Sequence, residues 1–106
     1  MIHWRRTHQI APGMQAEAIA LAHEYVAIFK QATSIDVRVS VVTTGTLGGL
    51  CFSSDYESMG AREVAVAKAE AHPDWIALRA KASQEARDGT SPFVPKTMHD
   101  EIWRYS

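Results

Sequence analysis

Apolar and polar residues change rhythm several times along this chain, and each rhythm predicts an element. Residues 2 to 10, IHWRRTHQI, mix β-branched and aromatic residues in loose alternation and run into APG, the pattern of a strand. From Met14 to Ala32 the spacing lengthens. Met14, Ala18, Leu21, Ala22, Tyr25, Ile28, Phe29 and Ala32 trace one stripe of an amphipathic helix. Pro12 just ahead suits a helix start, where a missing N–H is no loss. Residues 34 to 42, SIDVRVSVV, then alternate cleanly: Ile35, Val37, Val39 and Val41 share one face, and Asp36, Arg38 and Ser40 the other. TTGTLGG at 43 to 49 reads as a turn, and LCFSSDY at 50 to 56 as the returning arm of a hairpin. Ser58 is placed to cap a helix through MGAREVAVAKAEA, residues 59 to 71.

AHPDWIALRAKA, residues 71 to 82, interrupts that helix. Proline disfavours a helical backbone in the residue before it, so the first segment should stop near His72. Pro73 then suits the first turn of a new segment, and Asp74 meets the positive end of its dipole. In that segment Trp75, Leu78 and Ala82 share one stripe, so the break turns Trp75 inward. DGTSPFVPK is a loop, and TMHDEIWRY at 97 to 105 the last strand.

The order strand, helix, strand, strand, helix, strand predicts an α+β, ferredoxin-like βαββαβ fold. Its four-stranded antiparallel sheet sets the first strand between the third and fourth, with the helices on one face. The face towards the helices should carry Ile2, Trp4, Ile10, Ile35, Val37, Val39, Val41, Leu50, Phe52, Tyr56, Met98 and Ile102. The other face then holds His3, Arg5, Thr7, Gln9, Asp36, Arg38, Ser40, Cys51, Ser53, Asp55, His99, Glu101, Trp103 and Tyr105. Arg6 and His8 fall on the apolar side, which calls for a bulge or an exposed strand end in the first strand.

Composition narrows the partners. A chain of 106 residues is expected to form a single domain, 1–106, and its 46% hydrophobic and 22% charged content is that of a globular protein. A net charge of −1 supplies no basic field, so neither nucleic acid nor an anionic membrane is an expected partner. The first ten residues hold two arginines and two histidines where a leader would be apolar, and no apolar run approaches a membrane span. Cys51 is the sole cysteine, which leaves no internal disulfide and no thiolate cluster for metal. Neither metal nor cofactor is expected, and the cytoplasm is the expected compartment.

A polar sheet face can lie in water, meet a second sheet, or line a cavity between two sheets. Trp103 and Tyr105 on that face, and the small size of the unit, favour a homodimer.

Four stretches resemble the NIPSNAP-like family. They are RTHQIAPG from Arg6, TGTLGGLCFSSDYES at the hairpin, HPDWIAL at the helix break, and FVPKTMHDEIWRY at the close. His72 stands where an aspartate is common in that family. The resemblance spans nearly the whole chain and implies a dimeric α/β barrel, two four-stranded sheets facing each other. The wider group includes cofactor-independent quinone-forming monooxygenases, haem-degrading enzymes, dehydratases and proteins without known activity, so the fold does not name a reaction. The haem-degrading branch uses an Asn, Trp, His set, and this chain contains no asparagine.

Two sets of candidate residues follow. His3 and His99 sit on strands expected to be neighbours, with Arg5 and Glu101 two positions further on. Imidazole and carboxylate within reach make a minimal general acid–base pair, or else charge pairs at a dimer seam. Trp75, Trp103, Tyr105 and Cys51 are the candidate ligand-pocket residues, though Trp75 also reads as core packing and Cys51 as a buried small hydrophobe. GTLGG precedes no helix and so lacks the context of a phosphate loop. Two functions stay open: a homodimeric barrel binding a small, partly apolar molecule, and a cofactor-independent monooxygenase, isomerase or cyclase acting on an aromatic or polyketide-like substrate.

Overall fold

The computed structural model of the chain describes residues 1–42 and 48–106. In chain order the elements are β1 (Ile2–Gln9), α1 (Gln15–Thr33), β2 (Arg38–Val41), β3 (Gly49–Tyr56), α2 (Met59–Glu70), α3 (Pro73–Asp88) and β4 (His99–Arg104). The strands form one antiparallel four-stranded sheet in the order β2-β3-β1-β4. This is the α+β, ferredoxin-like arrangement that the element order predicts. The turn expected at 43 to 49, including GTLGG, falls largely outside the described residues.

Local chemistry explains most boundaries. Ala11 to Met14 form a β-turn closed by the Met14 N–H on the Ala11 carbonyl at 3.0 Å. Pro12 fixes φ at its first corner, and Gly13 takes the positive φ of +77° at the second, which a side chain would oppose. Pro12 therefore belongs to this turn and not to the first turn of α1. At the other end of α1, Ser34 adopts a left-handed φ of 63° and its N–H bonds the Lys30 carbonyl at 2.8 Å. Leaving the helix this way occupies residues 34 to 37, so β2 begins at Arg38 although the alternation begins earlier.

The break between α2 and α3 is a built cap. Ser58 Oγ accepts from Ala61 N–H at 3.1 Å to start α2. His72 is extended (φ −73°, ψ 130°), and its Nδ1 accepts from Asp74 N–H at 3.1 Å, with Pro73 at the first helical position. Gly89 closes α3 in the left-handed region at φ 73°. His72 is thus the N-cap of α3, and the bend it makes carries Trp75 towards the sheet.

Leu50, Ala18 and Ala22 have no exposed surface, and Ala65 and Ala69 of α2 are nearly as buried. Small side chains on both α1 and α2 let the helices lie close to each other over Ile2, Trp4, Phe29, Phe52 and Tyr56. Two apolar positions expected in this core lie outside it: Met98 is 56% and Ile102 45% exposed. Ile102 faces the helix side, but β4 is an edge strand with little helix packed against it.

Strand β1 is regular. It pairs without interruption with β3 from Ile2–Tyr56 to Gln9–Gly49, and with β4 from Ile2–Arg104 to Thr7–His99. There is no bulge among these pairs, so Arg6 and His8 do point to the helix side, where partners from elsewhere in the chain meet them.

Candidate functional site

On the helix side of the sheet lies a cavity of about 430 Å³. Strands β1 and β3 supply its floor through Trp4, Arg6, His8, Phe52 and Tyr56. Helices α1, α2 and α3 supply Tyr25 and Phe29, Arg62 and Glu70, and Trp75 and Arg79, while Phe93 and Met98 close it from the segment before β4. The walls are largely aromatic: Trp75 meets Tyr25 edge to face at a centroid distance of 5.0 Å and Phe29 at 6.2 Å.

Arg6 joins Asp100 through a forked pair, Nε to Oδ1 at 2.7 Å and a second guanidinium nitrogen to Oδ2 at 2.8 Å. The Arg6 guanidinium lies 5.4 Å from the Trp4 ring centre, and that of Arg62 lies 5.3 Å from the same ring. Arg6 holds the Asp100 carboxyl below the usual carboxylate range, against the opposing effect of burial. The Trp4 indole also leans towards this carboxylate, but outside hydrogen-bond geometry.

A folded-state pKa below the ordinary 3.8 means that the pair stabilises the fold above that value and loses its effect as pH falls through the lower one. Asp100→Asn is therefore expected to cost about 1 kcal/mol at neutral pH, modest because both partners are a third exposed, and to flatten the acid limb of stability below about pH 4. Urea melts of both proteins at neutral and acid pH check this: an equal difference at both pH values would refute it.

His8 packs on Phe93 at 4.9 Å and edge-on to Phe52 at 6.1 Å. Burial lowers its pKa first and the Arg6 charge adds to this, while Asp100 opposes, so the ring is neutral at pH 7. A neutral imidazole lining a cavity can accept a proton from whatever occupies it.

The candidates from sequence divide between the two faces. Trp75 lines the cavity. His3, Arg5, His99, Glu101, Cys51, Trp103 and Tyr105 share the opposite, helix-free face by strand register. On that face His3 Nδ1 bonds Asp55 Oδ1 at 2.8 Å, Arg5 Nε donates to His3 Nε2 at 3.1 Å, and Tyr105 hydroxyl donates to Asp55 at 2.9 Å. Because Nε2 accepts, the proton of this ring is assigned to Nδ1. Asp55, held below the usual carboxylate range by His3 and then Tyr105, is the hub of the group.

His3 and His99 are not brought together. His99 stands opposite Thr7, four residues along β1 from His3, or roughly 13 Å away. Glu101 stands opposite Arg5. The Cys51 thiol is pushed up by burial, which favours the unreactive protonated form. Among the described residues no group of three His, Cys, Asp or Glu side chains is placed to hold a metal ion, and no helix is long and apolar enough to cross a membrane.

Sequence reasoning missed His8, Arg6 and Arg62 as cavity residues, and Asp100 as the carboxylate that pairs with Arg6. The available signal was the two polar residues at inward positions of β1, since a buried charge implies a partner.

Neither the protein-family models nor the curated proteins contain a match to this chain. Solved structures do match. A NIPSNAP domain protein from Burkholderia xenovorans superposes with a TM-score of 0.78 at 19% identity, over 100% of this chain and 95% of that one. A NIPSNAP family protein from Agrobacterium tumefaciens does so with 0.78 at 19% identity, over 99% and 85%. A candidate antibiotic biosynthesis monooxygenase from Deinococcus radiodurans gives 0.66 at 11% identity, over 100% and 93%. At these identities the likeness is one of fold. This chain has the ferredoxin-like α+β fold of NIPSNAP domain proteins, shared with monooxygenase-type neighbours.

Proposed function

We propose that this chain is a NIPSNAP-like protein whose 106 residues act as one unit, pairing into a homodimeric α/β barrel and binding a small, partly apolar molecule. The observation that carries the binding reading is the aromatic-walled cavity of about 430 Å³ between sheet and helices, within the range of small-molecule sites. The homodimer reading rests on the ionisable open face and on Trp103 and Tyr105, each 56% exposed there. One unpaired cysteine suits a reducing compartment such as the cytoplasm. Native mass spectrometry of freshly purified protein tests both parts together. A mass of twice 11.7 kDa with a carried small molecule is expected. A bare monomer would count against both.

One observation favours a second, enzymatic reading. His8 presents a neutral imidazole to the cavity beside the Arg6–Asp100 pair, a base next to a cationic hydrogen-bond donor. That pairing suits a cofactor-independent monooxygenase, isomerase or cyclase acting on an aromatic or polyketide-like substrate, in keeping with the monooxygenase-type neighbour. In the dimer, His3, Arg5, His99 and Glu101 would polarise the substrate and move protons at the seam, bordered by Cys51, Trp103 and Tyr105. Turnover that survives His8→Gln but not His3→Gln would assign the chemistry to the seam.

A further inference from the structure

The polar atoms of the cavity are unbalanced in one direction. Arg62 Nε and Trp75 Nε1 are buried and donate to nothing among the described residues, and Trp4 Nε1 is in the same position apart from its lean towards Asp100. All three belong to residues that line the cavity. A buried donor without an acceptor costs on the order of 1–3 kcal/mol, so several around one void call for an explanation.

The charges lean the same way. Arg6 is matched by Asp100 in the forked pair, and Arg79 lies 3.9 Å from Glu70. Arg62 has no carboxylate within ion-pair distance among the described residues, so the site carries one uncompensated cation. Its guanidinium lies over the Trp4 ring, and its Nε is buried without a partner among the described residues.

From these two imbalances we infer that the ligand of this cavity is an aromatic oxyanion: a flat apolar body among the rings, with a carboxylate or enolate-type oxygen held by Arg62 and the Trp75 indole N–H. The inference rests on the cavity being a binding site, as proposed above, and adds the class of molecule. Arg62 supplies charge and a directed donor, and Trp75 a second donor from α3. In a site of low dielectric such donors discriminate strongly between an anion and its neutral analogue.

Naphthoate and naphthalenemethanol test this, since they share a ring system and differ in charge. In calorimetric titrations at neutral pH, naphthoate should bind at least about ten-fold more tightly. Arg62→Met should remove that preference while leaving the alcohol's affinity within about three-fold, and Arg62→Lys, which keeps charge without the fork, should restore part of it. Equal binding of the two probes, or a preference that survives Arg62→Met, overturns the oxyanion inference and leaves the binding site standing. Binding of neither probe overturns both. Should Arg62→Met fail to fold, the wild-type comparison and the lysine variant still decide.

Discussion

Trp75→Ala is expected to lower stability by about 2–3 kcal/mol and to abolish binding of aromatic probes in the cavity. Truncating a large aromatic side chain in a full core costs somewhat more, but Trp75 is only half-buried because one side faces the void. The exchange removes its contacts with Tyr25 and Phe29, through which α3 packs on α1. Trp75→Phe separates packing from hydrogen bonding. It should cost under about 1 kcal/mol, because the ring contacts are mostly kept and the lost N–H has no partner in the free protein. It should still weaken an oxyanion probe several-fold. Chemical denaturation alongside probe titration measures both quantities. If Trp75→Ala melts like wild type, Trp75 is not a structural wall of the cavity.

Trp103→Arg is expected to convert a dimer to a monomer at micromolar concentration. The open face carries the Arg5, His3, Asp55 and Tyr105 chain of hydrogen bonds, and Trp103 stands directly opposite His3 in the β1–β4 register. An aromatic residue covered in a paired sheet face contributes on the order of 2 kcal/mol or more, and a cation beside Arg5 adds repulsion. The dissociation constant should rise about a hundred-fold. Sedimentation gives the answer: wild type near twice 11.7 kDa and the variant near that value. Wild type sedimenting as a monomer at the same concentration would refute the paired-sheet reading. A variant as dimeric as wild type would move the contact elsewhere.

Much of this architecture is legible in local patterns. The period of two in β1, β3 and the valine strand assigns residues to faces correctly, because strand geometry puts successive side chains on opposite sides. The break at His72 and Pro73 is equally local, since proline restricts the residue before it and a capping group need reach only two residues. Where the structure departs from the local pattern, the cause is distance along the chain. Arg6 and His8 looked misplaced in β1 because their company is remote: Asp100 lies 94 positions from Arg6, and Phe93 arrives from the loop before β4. Asp55 likewise became the partner of His3 through the β1–β3 register, where the sequence pointed to His99. Alternation points Met98 and Ile102 to the core, yet both are exposed, because it states the face of a strand but not whether anything covers it.

The sequence by itself determined the order of elements, the inward and outward faces and the bend before Trp75, since each follows from the conformational preferences of a few neighbouring residues. Only the tertiary structure decided where the cavity opens and which groups look into it. A cavity is the space left between elements that meet from far apart, and so are the unpaired donors and the lone cation that give it chemistry. No local preference encodes such a space; the packing of helices against a twisted sheet creates it.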